Sequence, residues 1–364
     1  MKASNNMYSE RRKRVVERLK SNGISQMIVW DPASILYLTG EKVYAFERMW
    51  ALYLADGREP VLFANKLFVL SGNTDVKVVW HTDVDDGAAQ LAEYTNHEEV
   101  LGIDKVMPAK YLLALQEYGA ATGYKNTSCY VDGVRGEKDE QERKLMIEAS
   151  RINDLAMDRF KALIHDGVTE LEVASQIEGI YKELGAQGNS FTPIVCFGAN
   201  AANPHHEPDD TVIAEGDVVL FDVGCIKDDY CSDMTRTFFY KMVSDKQREV
   251  YEIVKNANLA GEAAMGPGKR FCDADAAARN LITEKGYGGY FTHRLGHSVG
   301  MEVHESGDVS SANTDRFTPG RCISCEPGIY LPGEFGVRIE DLCLITEDGV
   351  TVMNHYSKEL EIIG

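Results

Sequence analysis

Two pairs of carboxylates and a histidine-rich segment mark the second half of the chain. Val218-Val219-Leu220-Phe221 is an unbroken apolar run that reads as a buried strand, and it ends in Asp222. A carboxylate at the end of a buried strand must be paired, hydrogen-bonded or bound to a cation. After the polar turn Lys227-Asp228-Asp229 the chain returns through residues 230–238, a β-branched and aromatic stretch that contains Asp233. A hairpin would bring Asp222 and Asp233 together, and neighbouring carboxylates repel unless they share a proton or a cation. The competing reading is an ion pair of Asp233 with Arg236 or Lys227; on these residues alone the two stand level.

His293, His297 and His304 fall within 12 residues, out of nine histidines in the chain. Gly296 and Gly300 bracket His297 and permit close backbone approach. A lone histidine on an apolar face is usually a core residue, whereas three framed by glycines favour a metal or acid–base site. Glu326 ends the apolar stretch 322–325, which Pro327-Gly328 breaks, and Glu340 alternates with Arg338 on one face of a strand. Strand-end salt bridges are the plainer account of both glutamates, but their recurrence opposite the aspartate pair counts against it. The segment Asn203-Pro204-His205-His206-Glu207-Pro208 reads as a loop; it is slightly better explained as an exposed polar turn, although loops often carry function. Two aspartates, two glutamates and a neutral histidine bring four negative charges, which two divalent cations would balance. Oxygen-rich ligation with one imidazole suits Mn²⁺, Co²⁺ or Zn²⁺. Carboxylates bridging two such ions would hold them roughly 3.5–4 Å apart, placed to activate a water.

The elements that must position these groups follow from pattern. The first part alternates helix and strand: a basic amphipathic helix over 8–22, strands over 26–30, 51–54, 60–63, 76–80 and 100–104, and a hairpin signal at Asp56-Gly57. This is a small α/β domain. The polar stretch 134–140 precedes a long helix over 139–164 and places a boundary, giving domains 1–133 and 134–364. The second domain holds a faint repeat. Helices over 139–164 and 170–184 lead to the aspartate strands, and helices over 246–265 and 273–285 lead to the glutamate strands. Such a duplication would set the two carboxylate pairs face to face.

Composition narrows the partners. The 364-residue chain has a formal net charge of −19, which argues against nucleic acid. No stretch approaches 18 apolar residues and the N-terminus is polar, so neither a membrane span nor a signal peptide is expected. Eight scattered cysteines are read as reduced thiols of a cytoplasmic protein. Cys322-Ile-Ser-Cys325 has redox or zinc spacing, but it is a lone pair in a strand-like stretch and is given no such role.

The segments FDVGCIKDDYCSDMTRTF, HRLGHSVGMEVHE, SCEPGIY and GVRIED resemble the pita-bread metallopeptidases, specifically prolidase and aminopeptidase P. The preceding α/β domain is similar to that of prolidase and creatinase, so the resemblance covers nearly the whole chain. It implies an α/β (α+β) architecture in which a pita-bread catalytic domain follows a smaller creatinase/prolidase-type domain. It implies that Asp222, Asp233, His297, Glu326 and Glu340 ligate two divalent ions, Mn²⁺ first and Co²⁺ or Zn²⁺ as alternatives. It makes Glu326 the general base and His205 (less so His206) the stabiliser of the tetrahedral intermediate. His293 and His304 would line the substrate pocket, and Arg338 would hold a carboxylate that bridges the two ions, Asp233 or Glu340. The implied reaction is hydrolysis of a Xaa-Pro peptide bond by a homodimer. Dipeptides are the first substrate, and longer peptides, a nonpeptide amide or a noncatalytic role are the alternatives. Glu47, Arg48 and Trp50 would lie in an N-terminal loop able to close the partner's site, although each singly reads better as surface. One departure is Ser298, where the family often has glycine.

Overall fold

The computed structural model describes residues 5–72 and 74–364. Its contacts divide the chain into two compact units, Met1–Arg135 and Gly136–Gly364.

The first unit is built on a six-stranded mixed sheet. Its order is Lys77–His81, Val61–Asn65, Ala51–Ala55, Gln26–Val29, Val100–Ile103 and Gly123–Asn126. The three central strands of residues 26–65 are buried throughout, as expected where helices cover a sheet. Ser128–Gly136 is a helix, so position 133 falls inside an element. The charges there hide an i, i+3 apolar pair, Val131 and Val134, both buried. Trp50 is also buried, edge-on to Phe68 within this unit, which corrects its reading as a surface residue. Arg48 pairs with Asp83 and with Glu47.

The second unit repeats one plan twice. Helices Glu140–Lys161 and Glu170–Glu183 pack a core with the strands Ile194–Phe197, Val218–Val223 and Met234–Tyr240. Helices Asp245–Ala264 and Phe271–Glu284 pack a second core with the strands Cys322–Cys325, Gly328–Leu331 and Phe335–Arg338. Three of the four helices begin with a complete capping box, at Asp139, Thr169 and Ser244. Cys322 and Cys325 point into different apolar clusters, so the pair is divided between two packing layers. No helix of the described residues is long and apolar enough to cross a membrane.

Candidate active site

The aspartates stand on one hairpin. Asp222 lies opposite Thr235, and Asp233 immediately precedes the strand Met234–Tyr240. The hairpin narrows to a two-residue turn between Lys227 and Tyr230, where Asp228 and Asp229 take φ of 49° and 68°. That is the primed turn geometry whose twist matches paired strands. Neither competing ion pair forms: Arg236 joins Asp341 at 2.6 Å and Lys227 joins Asp228.

The glutamates occupy a break in the opposite ladder. Cys325 pairs with Asp341, and Gly328 pairs with Arg338. Between them Glu326 and Glu340 have no partner in those ladders. The expected single strand through Arg338 and Glu340 is therefore two strands, Phe335–Arg338 and Asp341–Ile345. The glutamate amides instead donate outward, Glu326 to the Leu295 carbonyl at 2.8 Å and Glu340 to the Thr235 carbonyl at 3.1 Å. Both carboxylates thus hang from a point where two sheets meet.

His297 lies on the short strand Gly296–Ser298, beside a bulge. A Cβ at Gly296 would stand 1.9 Å from the Ser324 carbonyl oxygen, so no other residue fits this approach. His297 Nδ1 lies 3.3 Å from the Ser298 carbonyl. Its Nε2 faces Glu326 Oε1 at 3.2 Å and Asp233 Oδ2 at 3.7 Å, and a proton held on Nδ1 would free Nε2 to ligate a cation.

These groups converge. Ligand atoms of Asp233, His297 and Glu340 lie within 4.8 Å of one another. Asp222, Glu326, His205, His206, His293, His304 and Arg338 line the same cavity of about 700 Å³. A second group of similar spacing, Glu170, His206 and Asp209, lies at its edge. There the buried Glu170 already accepts bonds from the Phe197 and Asp209 amides and from Asn200, and it holds His206 Nε2 at 2.7 Å.

Charge is unbalanced in the cluster. Burial, aided by the Asp222 and Glu326 charges, pushes the Asp233 carboxyl well above the usual carboxylate range. Burial and the Asp233 charge do the same to Glu340. Asp222 also rises through burial, against the pull of Arg338, whose Nη2 donates to Asp222 Oδ2 at 2.5 Å. Glu326 goes the other way: burial opposes ionisation, but the His297 bond and the nearby cationic groups hold it near 2. Two buried atoms, Asp222 Oδ1 and Asp233 Oδ1, have no hydrogen-bond partner. Unpaired buried carboxylate oxygens are costly and call for a bound cation or water.

Three residues within the family-like segments, Thr235, Ser324 and Tyr330, support these groups. Thr235 donates to Glu340 Oε2 at 2.7 Å and accepts from Arg338 Nε. Ser324 accepts from the His297 amide and donates to Glu326 Oε1. The Tyr330 hydroxyl accepts from Arg338 and lies 2.8 Å from His293 Nε2. As His293 Nδ1 also meets the Arg294 carbonyl at 2.7 Å, both ring nitrogens are occupied. Burial lowers His293 below its ordinary value, and it lowers His304 to about 4. The alternation of strand residues was the one signal that could have placed Thr235 on the Asp222 face.

Residues 144–347 match the model of metallopeptidase family M24, and residues 11–136 match the creatinase/prolidase N-terminal domain. The Xaa-Pro dipeptidase of Lactobacillus delbrueckii subsp. lactis is 36% identical over 355 residues, covering 95% of this chain and 96% of that protein. The crystal structure of a prolidase from Thermococcus sibiricus superposes with a TM-score of 0.93 at 33% identity, covering 98% of this chain and 99% of the other. That of an X-Pro aminopeptidase from Thermotoga maritima gives 0.81 at 27%, covering 95% and 100%. With its creatinase-type N-terminal unit and its paired carboxylates in a pita-bread unit, the chain belongs to metallopeptidase family M24 and is a hydrolase.

Proposed function

We propose that this chain hydrolyses Xaa-Pro peptide bonds, with Xaa-Pro dipeptides as its substrates. Asp222, Asp233, His297, Glu326 and Glu340 would hold two divalent cations, Mn²⁺ before Co²⁺ or Zn²⁺. The observation that carries this reading is the pair of buried, partnerless oxygens, Asp222 Oδ1 and Asp233 Oδ1, in a cluster where carboxylates outnumber the one buried guanidinium that meets them. Hard oxygen donors with one imidazole fit such ions, whereas thiolate-seeking metals would find no ligand here. When bound, the metal pair supplies Lewis acidity that makes a water nucleophilic at neutral pH.

The protein's own groups do the rest. Glu326, held ionised beside His297, takes the proton of the attacking water and passes it to the departing proline nitrogen. His205 faces the cavity from its loop and donates to the oxyanion, while His206, also on the cavity wall, has its Nε2 engaged by Glu170. Arg338 orients Asp222, and His304 and His293 form walls. With its ring nitrogens occupied, His293 acts by shape rather than by proton transfer. We further propose a cytoplasmic homodimer, as the resemblance to prolidases implies. Hydrolysis of Xaa-Pro and Xaa-Pro-Yaa peptides with and without Mn²⁺ tests the reading. Cleavage of the dipeptide first supports it; preference for the tripeptide makes the chain an aminopeptidase P; cleavage of neither overturns it.

A further inference from the structure

The duplicated plan of the catalytic unit extends to two asparagines. Asn153 and Asn258 each stand thirteen residues beyond the first residue of the leading helix of their half, Glu140 and Asp245 respectively. Both are fully buried. Asn153 Nδ2 donates to the Val223 carbonyl at 2.9 Å. Asn258 Nδ2 donates to the carbonyls of Cys325 at 2.8 Å and Ile339 at 3.3 Å. Val223 follows Asp222; Cys325 precedes Glu326; Ile339 precedes Glu340. For the fourth carboxylate, Asp233, the preceding Ser232 carbonyl is taken by the Ser190 hydroxyl at 2.9 Å.

The placement has a physical use. Where Glu326 and Glu340 interrupt the ladder, no backbone rung joins the two chains, and Asn258 supplies a side-chain rung across the gap. Each amide is itself oriented from behind. The Tyr181 hydroxyl donates to Asn153 Oδ1, and Lys358 Nζ donates to Asn258 Oδ1 at 2.7 Å. A buried amide held at both ends has one orientation, so the carbonyl it grips is fixed as well. Ligating side chains are held as firmly as the backbone that carries them, and loss of such outer support costs metal sites tenfold or more in affinity.

We propose that Asn153 and Asn258 are matched positioning residues, one per half, that clamp the backbone next to the metal-holding carboxylates and so set metal affinity. Asn258 grips two carbonyls and Asn153 one, so the glutamate half depends more on its clamp. This rests on the two-metal reading above.

Calorimetric titration of the metal-free protein with MnCl₂ tests it, on the wild type, Asn153→Asp, Asn258→Asp, Tyr181→Phe and the control Asn256→Asp. Asn256 is on the same helix as Asn258, exposed, and bonded only along that helix. Expected are at least tenfold weaker Mn²⁺ binding in Asn258→Asp, a smaller weakening in Asn153→Asp, about threefold in Tyr181→Phe, and none in the control. Turnover at fixed subsaturating Mn²⁺ should fall in kcat with KM unchanged. Far-UV circular dichroism identical to wild type with binding within twofold in both asparagine variants overturns the clamp. If those two variants do not fold, Tyr181→Phe decides alone, and wild-type affinity there overturns it. A wild type that takes up no Mn²⁺ overturns the metal reading and the clamp with it, whereas wild-type-like variants overturn the clamp alone.

Discussion

The aspartate half and the glutamate half of the catalytic unit deliver the same chemistry by different backbone means. Asp222 stands within an intact ladder, flanked by strands on both sides, and Asp233 follows it round one local hairpin. Glu326 and Glu340 stand where a ladder is interrupted, and their amides bond to Leu295, next to the His297 strand, and to Thr235 on the aspartate hairpin. A hairpin brings its own residues together cheaply, because the loop is short. A gap does so only when distant elements are in place. The aspartate half is thus locally determined, and the glutamate half depends on long-range packing.

The largest expected effect separates the roles of the halves. Glu326→Gln should lower kcat by about 10²- to 10⁴-fold, the usual worth of a proton-transfer group, while circular dichroism stays native. Full activity in steady-state assays of Xaa-Pro hydrolysis would remove Glu326 as the base. Arg338→Met should sharpen the comparison, since Arg338 belongs to the glutamate half and pairs with Asp222 of the other. Stranding a buried carboxylate costs about 3–5 kcal/mol. Urea unfolding of the metal-free protein measures it, and a loss below about 1 kcal/mol would mean the halves are tied elsewhere.

The buried cluster behind the glutamates gives a pH signature. Burial and the Asp341 charge raise Glu262 from an ordinary 4.5 to about 7, despite its 2.7 Å bond from Lys358. The folded state therefore binds this proton more tightly than the unfolded chain. Its contribution is complete below pH 4.5 and is lost as pH rises through about 7, roughly 3 kcal/mol at most. Wild-type stability should fall relative to Glu262→Gln between those limits; a difference that stays flat across that range of denaturation curves would contradict the assignment. The smallest effect lies at the tip of the aspartate hairpin. Replacing Asp228-Asp229 by Asn-Gly suits the positive φ values and should add about 0.5–1 kcal/mol with kcat unchanged. A loss of stability would show that the turn is held by its side chains.

Sequence patterns reached far for groups whose burial or clustering is anomalous. Asp222 ends an apolar run, and three histidines share one short segment; both are conspicuous because charge and imidazole are unusual there. The interruption at Glu340 was hard to read, because Val337 to Glu340 alternates like one strand and only the adjacent charges of Glu340 and Asp341 break the pattern. Thr235, Ser324 and Tyr330 are ordinary strand residues whose importance lies in what stands opposite. The helix Ser128–Gly136 was hidden by its charges. Arg236 shows the limit well: its neighbour Asp233 is the obvious partner, yet its guanidinium reaches Asp341 and the Ser357 and Tyr356 carbonyls, over a hundred positions away.

The broken ladder also has a consequence in time. A nascent chain that has emerged through Tyr240 already contains Asp222 and Asp233 on one local hairpin. It contains neither glutamate, and the gap that holds them closes only when Cys322–Cys325 finds Asp341–Ile345. Under the reading proposed here, the water-activating centre cannot assemble before the glutamate half is made. A hydrolase of peptide bonds is then inert for as long as it is itself an unfinished peptide.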